Sequence, residues 1–580
     1  MVFILEFKYL KKIYFITKYH TVSFFRLFCL LLIASALEVF GLGLVVPYVG
    51  LIVNPEIIND SKFFSVLNYF IPTTDHNQVI LYLGIFLIFI FLLRALFAIL
   101  LNKSVLTYCF NQGMKMRLNL MKIYLNLPYK EFYKKNKSEY LYHINSLSLQ
   151  FSQQILLSSV RIMCDGFLLF VIILYLSINF GFQLAIVMSI ILSFLILYDY
   201  IFKVRITNYG KKINYNSENL IRNIQEGLSG FKEIRILNKE NFFIEHLKNS
   251  AEKYASFSIK NRVITHAPRY LLDFVVILAV FLMVTISQLI NQIKLIDYIP
   301  LLSVFALAAI RIIPSANVIL RGISHIRFGK NTIERIYEDL QSKPYKFQKI
   351  NNNENSFQSL TLNSIDFKYP EQEKMMINNL NLNIKSGDSI GIMGKSGIGK
   401  STLLDLILGF VSQLNGEIKY NGVKLEDNLN LFQSQIAYLP QNIFLIDDTI
   451  RKNITLSENT NNNDDKNILD ALNKVQLKNF IDSLPNGIDT IIGENGSFIS
   501  GGQSQRLAIA RAIFHKKNIL ILDESTNSLD QNTEASIIKQ FSNLKGLITI
   551  IFVSHKYESL KFCDKIYTFD KGSLKLHQND

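Results

Sequence analysis

The sequence predicts a six-helix transmembrane α domain fused to an α/β domain, and three observations predict it. Apolar residues gather into long runs within roughly the first 325 of the 580 positions. The hydrophobic share of the whole chain, 49%, is ordinary for a globular protein, so the asymmetry carries the information. Beyond an Asn-rich stretch near residue 350, short strand-like runs alternate with helical patterns. A glycine-rich stretch, Gly394 to Thr402, lies between one such strand and one such helix. Mean hydropathy is +0.23.

The apolar runs fall at 21–53, 79–101, 160–178, 182–203, 270–290 and 299–321. Each is long enough to cross a bilayer at roughly 1.5 Å per residue. The first is over-long, so its end is expected beyond the bilayer. It is too long for the apolar core of a signal peptide and lacks a small-residue cleavage site, which reads as no cleavable signal. Ahead of it, Lys8, Lys11, Lys12 and Lys18 mark a segment expected along the inner membrane surface. Residues 54–78 carry Lys62 but also Glu56, Asp60 and Asp75. The joins at 179–181 and 291–298 are short, whereas 102–159 and 204–269 are long and rich in Lys and Arg. The positive-inside rule therefore places both termini and both long loops in the cytoplasm, where their mixed periodicity predicts helices running well beyond the membrane.

The net charge of +15 is spread through these loops. A nucleic-acid-binding protein would explain the charge but not the six spans. Cys29, Cys109, Cys164 and Cys563 have no metal spacing and read as inert thiols. The domain bounds expected are 1–340, a linker over 341–357, and 358–580. Asn-rich Ser457 to Asp465 reads as a surface loop, and no internal repeat is evident.

In the second half, Gly394, Lys395, Ser396, Gly397, Ile398, Gly399, Lys400, Ser401 and Thr402 fit the phosphate-loop pattern without a mismatch. The glycines let backbone N–H groups close on phosphates, and the helix N-terminus adds positive potential. In that pattern Lys400 reaches the β- and γ-phosphates of ATP and Ser401 ligates Mg²⁺. Ile519-Leu-Ile-Leu-Asp523-Glu524 is a buried strand ending in two acids. Asp523 suits the Mg²⁺ shell, and Glu524 suits a general base acting on the attacking water. Ser500, Gly501, Gly502 and Gln503 open a helix and form a second anion-binding nest.

That second nest, preceded by Ile499 where Leu is usual, resembles the signature motif of ATP-binding cassette (ABC) proteins. Other motifs of the family follow in order. Tyr369 in Phe-Lys-Tyr-Pro resembles the aromatic residue that stacks on adenine. Gln441 in Leu-Pro-Gln-Asn resembles the glutamine that touches the metal and reports to the membrane domain. Glu494 resembles the acid upstream of the signature. Asn527-Ser528-Leu529-Asp530 is similar to the loop at the dimer seam, and His555 resembles the switch histidine at the γ-phosphate. The resemblance implies a type IV ABC exporter-like half-transporter, an ATPase working with ATP and Mg²⁺ in the bacterial inner membrane. One cassette and one set of spans imply a homodimer in which the phosphate loop of one cassette faces Ser500–Gln503 of the other. Cytoplasmic helix tips near Tyr129–Phe132 and Gly230–Arg235 are expected to carry the motion to the spans.

For the substrate, Arg94 and Arg311 stand out. They lie about 22 Å and 18 Å in from the outer ends of their spans at 1.5 Å per residue, too deep to reach that interface easily. Arg grips phosphate in a forked geometry. Pairing of Arg94 with Glu38 explains Arg94 equally well. Arg161 and Asp165, four apart, read as an ion pair. Glu38 and Asp273 are further charges within apolar runs. Leu93-Arg94-Ala-Leu, Ala267-Pro268-Arg269-Tyr270 and Arg311-Ile-Ile-Pro314-Ser315-Ala316-Asn317 are similar to PglK-type lipid-linked oligosaccharide flippases. That likeness implies a polyprenyl-diphosphate-linked glycan as substrate. Aromatic and aliphatic residues from Phe63 to Phe70 read either as an external segment touching the polyprenyl tail or as a cap on the first two spans. The alternatives are an exporter of peptide, lipid or drug, and an ATP-gated regulator that does not transport.

Overall fold

A computed structural model of the chain describes residues 2–17, 21–53, 76–291, 299–342, 356–369, 373–395, 397–458, 462–524 and 531–577. The expected segment at 63–70, most of the 341–357 linker and the 292–298 part of a short join lie outside these residues. Two compact units form, Met1–Leu127 with Glu131–Pro344, and Pro128–Lys130 with Tyr345–Asp580.

The first unit is helical: α1 (Val2–Thr17), α2 (Thr21–Val53), α3 (His76–Leu125), α4 (Leu157–Ser229), α5 (Glu240–Asn291), α6 (Ile299–Phe328) and α7 (Lys330–Gln341). At about 1.5 Å per residue, α3 alone is more than twice the thickness of a hydrocarbon core. Five described stretches are long and apolar enough to cross a membrane: Arg26–Val45, Asn77–Leu125, Lys137–Ile178, Val187–Ser229 and Glu240–Leu282. The sixth expected span lies in α6, where many side chains of the first half are outside the described set. Ile88, Ile99, Phe170 and Ile178 stand exposed on these helices, as residues facing lipid do.

One expectation is corrected. The backbone stays helical through 179–181, inside α4, where a turn was expected. The local sequence Ile178-Asn-Phe-Gly181-Phe has no proline, and a lone glycine weakens a helix without breaking it.

Between α3 and α4 a short helix, Lys137–Tyr142, runs into two π-helical stretches, His143–Leu147 and Phe151–Leu156. Leu120, Leu147, Phe151, Ile155, Ile333 and Ile336 form the core that joins this region to α3 and α7. Gly113 of α3 permits a close approach, since a Cβ there would lie 2.6 Å from Ser152 Oγ. On α4, a Cβ at Gly210 would lie 2.2 Å from the Phe328 carbonyl oxygen at the end of α6. At the far end of α7, Asp339 is buried. Its Oδ2 accepts from the Tyr124 hydroxyl at 2.6 Å and lies 2.6 Å from His143 Nδ1, and its Oδ1 accepts from Lys135 Nζ at 3.0 Å. Burial alone would raise the Asp339 carboxyl. The hydrogen bond and charge of His143, the Tyr124 hydroxyl and Lys135 outweigh it and hold the carboxyl below the usual range. α1 packs against α7, where the Tyr9 hydroxyl donates to Glu334 at 2.8 Å and Phe15 meets the Tyr337 ring edge-on.

The second unit holds two sheets. β1 (Ser359–Phe367), β2 (Ile377–Lys385), β4 (Asn415–Tyr420) and β5 (Val423–Lys424) form an antiparallel sheet in the order β2-β1-β4-β5. β3 (Ser389–Met393), β6 (Ile436–Leu439), β7 (Ile519–Asp523), β8 (Thr549–Ser554), β9 (Lys565–Asp570) and β10 (Ser573–Leu576) form the other, in the order β10-β9-β3-β8-β7-β6. All its pairings are parallel except β9 with β10. β8 is buried throughout and β3 and β7 nearly so, which is why they read as unbroken apolar runs; half-buried β2 follows a broadly alternating pattern instead. The expected loop at 457–465 is cut short by a helix, Asn462–Lys474. Its first turn holds Asp464 and Asp465, acids that favour a helix N-terminus.

Candidate functional site

The parallel strand order sets the site. β3, β8 and β7 are neighbours, with Met393 level with Ser554 and Asp523 level with Val553. The residues that follow each strand, Gly394, His555 and Glu524, therefore emerge along one edge. Ligands of open α/β sheets bind beyond such carboxyl ends.

After β3 the chain turns through Gly397 (φ +77°) and Gly399 (φ +112°) into α8 (Lys400–Ile407). Those backbone angles strain any side chain, which accounts for glycine at both positions. Lys400 is buried, and its ammonium donates to the carbonyls of Gly394 at 2.8 Å and Lys395 at 3.0 Å. The same ammonium lies 3.0 Å from Glu524 Oε1. Ser401 is exposed at the start of α8, and Thr402 is buried with its hydroxyl 3.2 Å from that of Tyr369. Ile398 packs against the core beneath the loop. Ser396 lies outside the described residues.

Glu524 adopts φ +45°, and its N–H donates to the Val553 carbonyl of β8 at 3.0 Å. A non-glycine residue in that region marks a position held by its surroundings. Asp523 is half-buried, and its Oδ2 accepts from the Tyr438 hydroxyl at 3.2 Å. Burial pushes the Asp523 carboxyl up, Tyr438 opposes it, and Glu524 adds to it. Burial, with Asp523 close by, pushes the Asp405 carboxyl of α8 up to about 6. Neither Tyr438 nor Asp405 was expected at the site. Tyr438 could have been found from strand order, since it pairs with Ile521, two residues short of Asp523. Asp405 had no sequence signal beyond its place one turn after the loop.

Ser500 caps α9 (Gly501–Phe514) through a reciprocal box. Its hydroxyl accepts from the Gln503 N–H at 3.2 Å, and its own N–H donates to Gln503 Oε1 at 2.8 Å. The N–H groups of Gly501 and Gly502 at the helix start have no intrahelical partner in such a turn, as an anion-binding nest requires. Gln441 and His555 are exposed, and Glu494 opens a short 3₁₀ turn. Asp530, with 525–529, lies outside the described residues. The structure thus brings Lys400, Asp523 and Glu524 together, with Tyr369 beside Thr402. The oxygen donors of Ser401 and Asp523 are the hard ligands that Mg²⁺ takes.

In the first unit, Arg94 forms an ion pair with buried Glu38, and its guanidinium also lies over the Phe91 ring. The side chain of Arg311 is not among those described. The expected Arg161–Asp165 pair is not made among the described residues. Asp165 instead accepts from Ser315 Oγ at 3.1 Å, and Arg161 donates to Asn102 at 3.4 Å. Short polar partners on neighbouring helices take the place of the four-residue spacing.

Comparison with known proteins covers both units. A family described as ABC transporter matches residues 377–527, and one described as ABC transporter transmembrane region matches 56–309. Together they take in well over half of the chain. An ATP-dependent lipid A-core flippase of Haemophilus influenzae (strain 86-028NP) is 32% identical over 257 residues, 44% of each chain. One from Shewanella frigidimarina (strain NCIMB 400) is 37% identical over 220 residues, 37% of this chain and 36% of that one. The match thus spans less than half the length of these relatives. The uncharacterized ABC transporter ATP-binding protein YknU of Bacillus subtilis (strain 168) is 28% identical over 402 residues, 68% of this chain and 67% of that one. The structure of a bacterial Atm1-family ABC exporter with ATP bound superposes with a TM-score of 0.77 over 95% of this chain and 94% of that one, at 19% identity.

Proposed function

The chain is a member of the ABC transporter family, with the family's transmembrane region joined to its ATP-binding domain in a type IV exporter fold, and from that premise we propose that it hydrolyses ATP to move a saccharide-bearing lipid across the bacterial inner membrane as a homodimer. The observation that carries the ATPase reading is the meeting of Lys400 with Glu524, one residue from Asp523, at the carboxyl edge of β3, β8 and β7. In this reading the loop from Gly394 to Thr402 wraps the phosphates, Lys400 moves from Glu524 to the β- and γ-phosphates, and Tyr369 stacks on adenine. Ser401, Gln441 and Asp523 would hold Mg²⁺, which would neutralise phosphate charge. Glu524, released from Lys400, takes a proton from the attacking water, and His555 steadies the γ-phosphate. Ser500, Gly501, Gly502 and Gln503 of one copy cover the nucleotide of the other, with Asp530 at the seam. Exposed Leu228, Phe231, Ile236 and Leu237 around the tip at Gly230–Arg235 support a docking role for that tip.

The sequence likeness favours a polyprenyl-diphosphate-linked oligosaccharide as cargo, and the relatives named for lipid A-core favour a glycolipid of that kind. The test is ATPase rate in proteoliposomes with each lipid, for the unaltered protein, Glu524→Gln and Arg311→Ala. The proposal expects one of the two lipids to stimulate the unaltered protein and no turnover by Glu524→Gln. It further expects Arg311→Ala to hydrolyse ATP without responding to the lipid. Stimulation by peptide or drug alone would overturn the cargo and leave the ATPase standing.

A further inference from the structure

Helix α10 (Gln531–Leu544) begins directly after Asp530, and Glu534 in its first turn is buried. Both carboxylate oxygens have partners on the segment after β8. Oε1 accepts from Ser559 Oγ at 2.7 Å, and Oε2 accepts from Lys556 Nζ at 3.0 Å. Lys556 is the residue after His555. Its own N–H donates to the Oγ of fully buried Ser554 at 3.1 Å, so the exposed histidine sits between two anchored neighbours. From the other side, the Glu524 N–H holds the Val553 carbonyl, two residues before His555.

A purely structural role explains these contacts poorly. A buried carboxylate bound to an ammonium seldom stabilises a fold more than well-packed apolar residues would. Ile537 and Phe541, three and seven residues on along α10, and Leu560, next to Ser559, are buried and apolar, a setting that would accept an apolar side chain. What an apolar residue could not do is fix Lys556 and Ser559 in one place relative to α10. We propose that Glu534 is a positioning residue for His555, holding the switch segment 554–559 to the helix that follows Asp530, so that the histidine's reach toward the γ-phosphate is set by α10. This rests on the ATPase reading above.

The test uses the full chain in proteoliposomes, with steady-state ATPase and binding of a fluorescent ATP analogue measured for Glu534→Gln, Lys556→Met, His555→Ala and the two doubles with His555→Ala. Glutamine keeps an acceptor for Ser559 and gives up the ion pair, while Lys556→Met breaks the same contact from the opposite side. The expectation is a fall in kcat of about tenfold for each single variant, with analogue affinity unchanged and no further fall on adding either to His555→Ala. Losses that multiply with that of His555→Ala, or that appear equally in binding and in thermal stability, would make Glu534 a structural residue and overturn the proposal. An unchanged kcat would overturn it too. No hydrolysis by the unaltered protein would sink the ATPase reading itself, a result distinct from all of these.

Discussion

Replacing Asp339 by Asn tests the buried cluster at the end of α7. The Tyr124 and His143 contacts, both at 2.6 Å, are hydrogen bonds to a charged group in a buried setting. Each such bond contributes about 1.5–3 kcal/mol. Lys135 is one-third exposed, so solvent screening limits it to about 1 kcal/mol or less. Asn keeps the shape and one acceptor oxygen but presents an amide donor where a second acceptor was needed. The expected loss is therefore about 2–4 kcal/mol. The assay is unfolding of the purified full chain in detergent, followed by near-ultraviolet circular dichroism of its tyrosines. The pH dependence follows from the lowered carboxyl. Its stabilisation is complete above the unfolded value near about 4 and is lost as pH falls through the lower folded value. The gap between unaltered protein and variant should therefore narrow as pH falls below about 4 into strong acid. A loss under about 0.5 kcal/mol would refute the reasoning. So would a gap that fails to narrow in strong acid.

Two further substitutions probe the packing. Gly210→Ala puts a methyl 2.2 Å from a backbone carbonyl that cannot swing away, and should cost about 1–3 kcal/mol in the same unfolding assay. Gly166→Ala meets nothing within 4 Å and should be neutral or mildly stabilising. Glu38→Gln, which leaves Arg94 without its carboxylate, should destabilise by about 3 kcal/mol, whereas the Glu38→Leu/Arg94→Met double should recover most of that. If the recovered double still hydrolyses ATP and answers to the glycolipid, Arg94 serves the fold and not the cargo.

The nucleotide half was largely legible because its chemistry is written in contiguous motifs. Gly394 to Thr402 is a loop turning into a helix, Ile519 to Glu524 a strand ending in two acids, and Ser500 to Gln503 a cap opening a helix, each complete within a few positions. Long apolar runs likewise announced the membrane helices. What escaped were partners set by tertiary placement. Tyr438 reaches Asp523 only because β6 lies beside β7, and Glu534 meets Lys556 only because α10 packs under the end of β8. The Arg161–Asp165 expectation failed for a related reason, since spacing along one helix says nothing about Ser315 on another. The 179–181 join misled because its short polar break reads as a turn while its residues still tolerate helix.

The contact between Lys400 and Glu524 also bears on how variants of this site are read. On the proposed roles, the carboxylate that later takes a proton first stands as a rival to the incoming γ-phosphate for the same ammonium. An amide at position 524 withdraws the rival along with the base. Glu524→Gln should therefore hold ATP more tightly than the unaltered chain even before any difference in turnover is counted. A long-lived nucleotide complex trapped with that variant would overstate the affinity of the working site.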